Sequence, residues 1–268
     1  MSRPLALRYG HQFKVSAQQS RPRPSNNELV GAICHRAGFT TREETILRIF
    51  AGWDEREAIG FHVFIQSLIE NTKRALAITP IYGDQVNGTN RFTNVRFMVP
   101  ELCSWSGMAI FLDACDMQMH GDINELAGLF NPRYAIQVVK HDYKAKSPRK
   151  YIGTELEAEN LEYPRKNWSS VVLWNCGHIV HFNARDEIRR AVESGDGAYL
   201  HRFAWIPDNL IGELPIEWGW LDEYGTGAPK LMHYTNGIPG FAHYRQAPHS
   251  TRWLEAAQRV NKGMQDAQ

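Results

Sequence analysis

A chain of 268 residues that is 43% apolar is long enough for one catalytic-sized domain with a packed core. Its 30 basic side chains stand against 29 acidic ones, so no global field recruits nucleic acid or an anionic membrane, and nucleic acid is not the expected partner. Cys34, Cys103, Cys115 and Cys176 form no CxxC pair and indicate neither a zinc ribbon nor a disulfide framework, and no stretch approaches the ~20 apolar residues of a membrane span, so a cytoplasmic protein is expected.

Residues 1–28, which include SRPRPSNNE, show no apolar periodicity and are expected to form a flexible arm. Residues 29–45 read as an accessory segment, in which VGAIC is a short helix or strand and TTREE a helix start capped by Thr41, with Glu44 three residues on. The domain itself is expected over 46–250. Ile46, Leu47, Ile49 and Phe50 read as a buried strand, Ala51-Gly52 as a close turn, and Ile59, Val63, Ile65 and Ile69 as the apolar face of a helix. A glycine-containing loop at the end of a first strand is where a nucleotide base or ribose lies in an open α/β sheet, with Asp54 near enough to accept a hydrogen bond; the same pattern also serves as a plain tight turn.

LAITPIYG is a second strand, placed at an edge by Pro80. RFTNVRFMVPEL reads as a helix ended or kinked near Pro100, with Arg96 on the otherwise apolar face of Phe92, Val95 and Val99. Such an arginine either snorkels to the surface or reaches a phosphate or a carboxylate such as Asp113.

The chain is organised around MAIFLDACDMQMHGDINEL, residues 108–126. A buried strand over 108–112 delivers Asp113 and Asp116 to the rim of a sheet, and two such acids point to a divalent metal and a phosphorylated substrate. Asp122 and Glu125 read as the capping box of the next helix. Strand residues i and i+3 face opposite sides, so the chain is expected to bulge or turn at Ala114-Cys115 if both acids are to see one metal. His233 in LMHYTNG is the candidate third ligand, because imidazole with carboxylates suits manganese as well as magnesium.

YAIQVVKHD is a further strand. The stretch from Tyr143 to Asn167 is long, charged and without an apolar face; it carries Lys144, Lys146, Arg149, Lys150, Arg165 and Lys166, and is either a solvated loop or a lid closing over phosphates. NWSSVVLWNCG returns to a buried strand, and ARDEIRRAVESG to a helix stopped by Gly195. Trp205, Trp218, Trp220, Tyr234 and Phe241 form either a sugar-stacking floor or a cover on the sheet. Residues 251–268 close the chain as an amphipathic helix and tail.

Taken together, IFAGWDEREAIGFHV, RFTNVRFMVPEL, AIFLDACDM with GDINEL, YPRKNWSSVVLWN, LHRFAWI, LPIEWGW and PKLMHYTNGIPGF resemble, in order, the family 8-like glycosyltransferases of the GT-A fold, in particular a bacterial and phage branch. The resemblance covers roughly residues 46–245. It implies an α/β fold: a single GT-A-type, Rossmann-like domain with a mixed, mostly parallel central sheet flanked by helices. It makes Asp113, Asp116 and His233 the ligands of Mn2+ or Mg2+, and sets Ala51, Gly52 and Asp54 around the nucleotide. It also places Trp168, Ser169 and Ser170 beside the donor sugar, with Arg96 reaching that sugar or the acids, and His201 beside the acceptor or leaving diphosphate.

Two departures stand out. The family has one residue between its aspartates, whereas Asp113-Ala114-Cys115-Asp116 has two; and its best-known members continue the C-terminal histidine motif to a Lys-Pro-Trp that is absent here. The missing positive charge would come from Lys146, Lys150, Arg165 or His201. The expected function is transfer of a hexose from a nucleotide sugar, a UDP-hexose by preference, to an unknown hydroxyl acceptor, with retention of configuration. A nucleotidyltransferase and a non-catalytic nucleotide-sugar or carbohydrate-binding protein on the same fold are the rivals.

Overall fold

A computed structural model describes residues 46–83 and 90–265, with side chains through Lys262. The expected arm, the accessory segment and its Thr41 cap lie outside the described residues. In chain order the strands are β1 (Leu47–Gly52), β2 (Leu76–Ile81), β3 (Met108–Leu112), β4 (Met117–Met119), β5 (Ile136–Val138), β6 (Arg149–Lys150), β7 (Ala158–Glu159), β8 (Val171–Asn175), β9 (Ile211–Glu213), β10 (Trp220–Leu221) and β11 (Leu231–His233). The α-helices are α1 (Ala58–Glu70), α2 (Val99–Leu102), α3 (Ile123–Gly128), α4 (Ile179–Asn183), α5 (Arg185–Ser194), α6 (Gly197–His201) and α7 (Ser250–Gln265).

The main sheet has six strands in the order β2-β1-β3-β8-β5-β9. All neighbours are parallel except where β8 runs antiparallel to β3 and β5. It is the mixed, mostly parallel, helix-flanked sheet expected from the sequence. β3 and β8 are continuous apolar runs because both of their faces are covered, and Ala109 to Leu112 and Val171 to Trp174 are buried. Pro80 sits in β2 at the sheet edge, where a missing N–H costs no ladder bond to a further strand.

A small second sheet, β10-β11-β4, brings the C-terminal part of the chain back to the centre, with β11 antiparallel to β4 and His233 opposite Met117. Behind it α7 packs on α1 through Val63, Met232, Tyr234, Ile238, Trp253 and Ala256.

Several local expectations are corrected. Ala51 and Gly52 belong to β1 and make no turn; Gly52 is small because a Cβ there would lie 2.6 Å from the Phe92 ring. The turn comes two residues later, where the Asp54 carboxylate caps the short 3-10 helix Glu55–Glu57. The buried face of α1 is Gly60, Phe61, Val63, Phe64, Ser67 and Leu68, while Ile69 is 56% exposed. Pro100 opens α2 and does not end a helix, since the first turn needs no N–H from it; the residues before it form a separate 3-10 turn, Val95–Met98. Asp122 caps α3 as expected, but Glu125 pairs with Lys230 at 2.6 Å. Trp168–Ser170 is a 3-10 turn, so the strand starts only at Val171. Gly195 ends α5 with φ 71°, as expected. Trp218 and Tyr234 are core residues, 1% and 0% exposed.

Cys103, Cys115 and Cys176 are free and buried. Among the described residues no helix is long and apolar enough to cross a membrane.

A Cβ on Gly60 would lie 1.9 Å from the carbonyl oxygen of Cys115. Alanine gains at most about 1 kcal/mol of helix propensity over glycine, which cannot offset a backbone clash of that depth. Gly60→Ala is therefore expected to lower stability by about 1–3 kcal/mol. Equilibrium urea denaturation measures this, and an unchanged midpoint would mean that α1 is not held against the Cys115 carbonyl.

Candidate active site

The site forms where β3 runs out. The Asp113 N–H still donates to the Ser170 oxygen at 3.1 Å, and the chain then leaves the pleat: Ala114 takes φ 52°, the Cys115 N–H reaches the Asp113 oxygen, and the Met117 N–H bonds the Ala114 oxygen at 3.1 Å. A left-handed alanine costs roughly 1–2 kcal/mol, and surrounding contacts hold it. The Cys115 thiol lies 3.3 Å from both the Gly52 oxygen and the Asp54 nitrogen, pinning the turn to the end of β1. The expected turn at Ala114-Cys115 is thus present, and it absorbs the extra residue between the aspartates.

From β11, His233 Nε2 lies 3.3 Å from Asp116 Oδ1 and 3.9 Å from Asp113 Oδ2. One ligand atom from each of the three residues falls within 4.8 Å of the others. Asp113, Asp116 and His233 are only 7%, 5% and 2% exposed. Asp116 Oδ1 and His233 Nδ1 are buried without a hydrogen-bond partner. Two carboxylates and an imidazole, with a carboxylate oxygen left open between them, fit a hard or borderline divalent cation such as Mg2+ or Mn2+.

Arg96 is 5% exposed and does not snorkel: Nη1 pairs with Asp113 Oδ1 and donates to the Ser169 oxygen at 3.1 Å, while Nε donates to the Thr93 oxygen at 3.1 Å. Tyr151 donates its hydroxyl to Asp116 Oδ2 at 3.2 Å. Burial pushes the Asp113 carboxyl up to about 6, with Asp116 adding to the rise and Arg96 and His233 opposing it. Burial would push Asp116 up as well, but His233 and the Tyr151 hydroxyl outweigh it and hold that carboxyl below its ordinary value. Burial alone would lower His233; Asp116, Asp113 and Asp222 reverse that and raise it.

The remaining predicted residues divide. Ala51 lies beside Leu112 in the β1–β3 pairing, so the end of β1 adjoins the acids. Asp54 is fully buried and accepts from the Arg56 side chain at 2.6 and 2.8 Å and from the Arg91 N–H at 2.9 Å. Ser169 Oγ lies 2.7 Å from His201 Nδ1. Burial, with Arg96 and Lys150 nearby, pushes His201 down to about 3, so it is neutral and supplies no positive charge. Trp168 donates its indole N–H to the His141 oxygen at 3.1 Å.

Lys146 donates to the Glu223 oxygen at 2.8 Å and Arg165 pairs with Asp208, so both are turned to other partners. Lys150, in the charged stretch from Tyr143 to Asn167, places its charge near Asp116, Asp113 and Glu57; burial lowers its pKa against their pull. Phe241 is half-buried and lines a surface depression of about 570 Å³ with Ile152, Gly153 and Gly240.

Three residues escaped the sequence reading. Tyr151 carried no signal inside a charged stretch. Glu57, in the polar run DERE, is fully buried, takes a hydrogen bond from Asn90 Nδ2 at 2.5 Å and leaves Oε1 without a partner. Burial, Asp116 and Asp54 push its carboxyl well above the ordinary range. Asp222 accepts from Thr235 and Asn236 beside His233; an aspartate two residues beyond the aromatic motif EWGW was the available hint.

Topology and site together define a GT-A fold, and solved structures share it. The chain is similar to the galactosyltransferase LgtC in complex with donor and acceptor sugar analogs (TM-score 0.53, 10% identity, 80% of this chain and 96% of that one). It is also similar to the glycosyltransferase GlyE of Streptococcus pneumoniae TIGR4 (TM-score 0.56, 12% identity, 83% of this chain and 64% of that one) and to the bifunctional glycosyltransferase WbbM (TM-score 0.51, 15% identity, 81% and 51%). The chain thus spans about half the length of WbbM and less than two thirds of GlyE. No family model matches. The chain is 34% identical over 257 residues to Protein CDI of Arabidopsis thaliana, covering 89% of this chain and 95% of that protein, and it belongs to the same family.

A cation entering the site would compete with protons for Asp113 and His233, whose values are both raised. A raised group stabilises the ion-free fold below its unfolded pKa and loses that contribution as pH rises through its folded value, here about 6 for Asp113. The thermal stabilisation produced by Mn2+ is therefore expected to grow from pH 5 to pH 7.5. A shift independent of pH across that range would show that these groups do not exchange protons for the ion.

Proposed function

We propose that this protein is a metal-dependent glycosyltransferase, of the family 8-like kind, that moves a hexose from a nucleoside diphosphate sugar, a UDP-sugar by preference, to a hydroxyl acceptor with retention of configuration. The single observation that carries the reading is the buried Asp113–Asp116–His233 cluster at the C-terminal rim of a GT-A sheet, next to the end of β1. The galactosyltransferase with the same fold, captured with donor and acceptor sugar analogs, supports a nucleotide-sugar donor.

On this reading Asp113, Asp116 and the Nε2 of His233 hold Mn2+ or Mg2+, which supplies Lewis-acid neutralisation of charge developing on the diphosphate. Ala51, Gly52 and Asp54 flank the nucleotide. Arg96 favours the ionised form of Asp113 and aims it, while Trp168, Ser169 and Ser170 border the sugar. Neutral His201 offers a hydrogen bond beside the acceptor or leaving group. Lys150, already among the acids, supplies the positive charge that the C-terminal motif lacks. The strap 143–166 folds over the diphosphate and excludes water.

A second reading, a binding protein without turnover, is favoured by the Tyr151 hydroxyl, which occupies one oxygen of Asp116 at 3.2 Å. Incubation with Mn2+ and a UDP-sugar panel, with and without acceptors, separates the two: hydrolysis or transfer indicates the enzyme, binding alone the second reading.

UDP binding is expected to require a divalent ion, and Asp116→Ala to be the most damaging single change, because it removes the ligand shared by His233 and Tyr151. Titration calorimetry with UDP in Mn2+ and then in chelator measures this. Equal affinity in both would sink the metal reading.

A further inference from the structure

The strap over the acids is tied by the Tyr151 hydroxyl to Asp116 and by the Ile152 N–H to the Tyr244 hydroxyl at 2.9 Å, and several further ties converge on Asn236. Asn236, three residues beyond His233, is 8% exposed. Its backbone oxygen accepts the Tyr151 N–H at 2.6 Å, and its side-chain oxygen accepts from Asn160 Nδ2 at 3.3 Å. Its side-chain nitrogen donates to Asp222 Oδ2 at 3.1 Å and Glu223 Oε1 at 3.2 Å. Asp222 steadies the same loop by accepting from Thr235 Oγ1 at 2.8 Å and the Asn236 N–H at 3.3 Å. Glu223 holds the start of the strap, accepting from the Lys146 and Ser147 amides at 3.0 and 3.1 Å. Both legs of the strap and its tyrosine therefore end on Asn236 or on the two acids that hold it.

We propose that Asn236 is a positioning residue, a clasp that keeps the strap seated with Tyr151 on Asp116 and so sets how readily a divalent cation and its phosphate-bearing donor reach Asp113, Asp116 and His233. The consequence for access rests on the ion-site reading above; the clasp itself rests on the hydrogen bonds. An amide is the group this position requires, since it must accept from Asn160 and donate to two carboxylates at once. Aspartate would set a third carboxylate against Asp222 and Glu223. Tyr151 also holds φ 55°, a conformation that a tyrosine keeps only under external contacts. Loosening the clasp frees the loop that carries the Asn236 backbone oxygen, the acceptor of the Tyr151 N–H, and so weakens a contact that holds this conformation.

The test uses Asn236→Ala and, because that change adjoins His233, Asn160→Ala, which removes the contact from the strap's side together with the Asn160 bonds to the Ser147 oxygen and the Lys166 ammonium. Each is expected to speed amide hydrogen exchange over 147–160 by about tenfold, the scale of one or two buried hydrogen bonds, with α1 unchanged. Association of Mn2+, followed by stopped flow, is expected to quicken several-fold in both. Unchanged exchange over 147–160 in both variants would overturn the clasp. Faster exchange with unchanged Mn2+ association would overturn its control of access. A wild-type protein that binds no Mn2+ would remove the ion reading and that control with it, while the exchange measurement still decides the clasp.

Discussion

The structure depends on how the chain leaves β3. Two aspartates three apart cannot share a side of a regular strand, and an unbroken pleat would drive one of them into the apolar interior. The protein resolves this with a left-handed Ala114 and a tight turn, and much of what surrounds the turn holds it there. Gly60 lets α1 approach the Cys115 carbonyl, and the Cys115 thiol takes up contacts at Gly52 and Asp54. β4 then starts at once and pairs with β11. That pairing delivers His233 from more than a hundred residues away, and the Tyr234 N–H bonds the Asp116 oxygen at 2.8 Å. Turn, sheet and ligand set are one construction.

Its electrostatic cost is the second organising fact. Asp113, Asp116 and Glu57 are buried near one another, with Arg96, Lys150 and His233 as the local cations. An uncompensated buried carboxylate costs several kcal/mol, and paired ones still suffer desolvation. The site answers partly with Arg96 on Asp113 and partly with a raised proton affinity at Asp113, Glu57 and His233. On the proposed reading a divalent cation would compete with protons there and would bond the open Asp116 oxygen. On that reading the arrangement is costly when ion-free and would be relieved when loaded, which is a physical reason for so much buried charge at a sheet rim.

The features legible in the sequence were those with strong local patterns. Continuous apolar runs gave β1, β3 and β8, Pro80 gave the edge, and two acids at the end of the 108–112 run gave the heart of the site. His233 was legible only through its motif, since an isolated histidine carries no signal. The misses have a common cause. Ala51-Gly52 read as a turn because glycine usually marks one, whereas here it answers a close approach by Phe92 from a distant segment. Pro100 read as a helix stop because stops and starts use the same residue, and only the preceding 3-10 turn decides which it is. Glu57, Tyr151 and Asn236 are polar residues in polar stretches, buried by loops that pack onto each other. Periodicity contains no information about such contacts.

The positive charge absent after His233 ties these points together. His201 is neutral, Arg96 is matched to Asp113, and Lys146 and Arg165 serve Glu223 and Asp208. Lys150 remains, next in sequence to the tyrosine that covers Asp116. In a design where a lysine follows the metal-binding histidine, the charge is fixed to the sheet and waits for the donor. Here, on the proposed reading, it rides on the strap, so the charge and the cover arrive and depart together. Opening the site would take the cation's electrostatic rival away from the acids just as a metal enters, and closing would return a lysine to the phosphates just as water is expelled. On that reading the departure from the pattern that the sequence resembles moves the charge from the C-terminal motif to the strap.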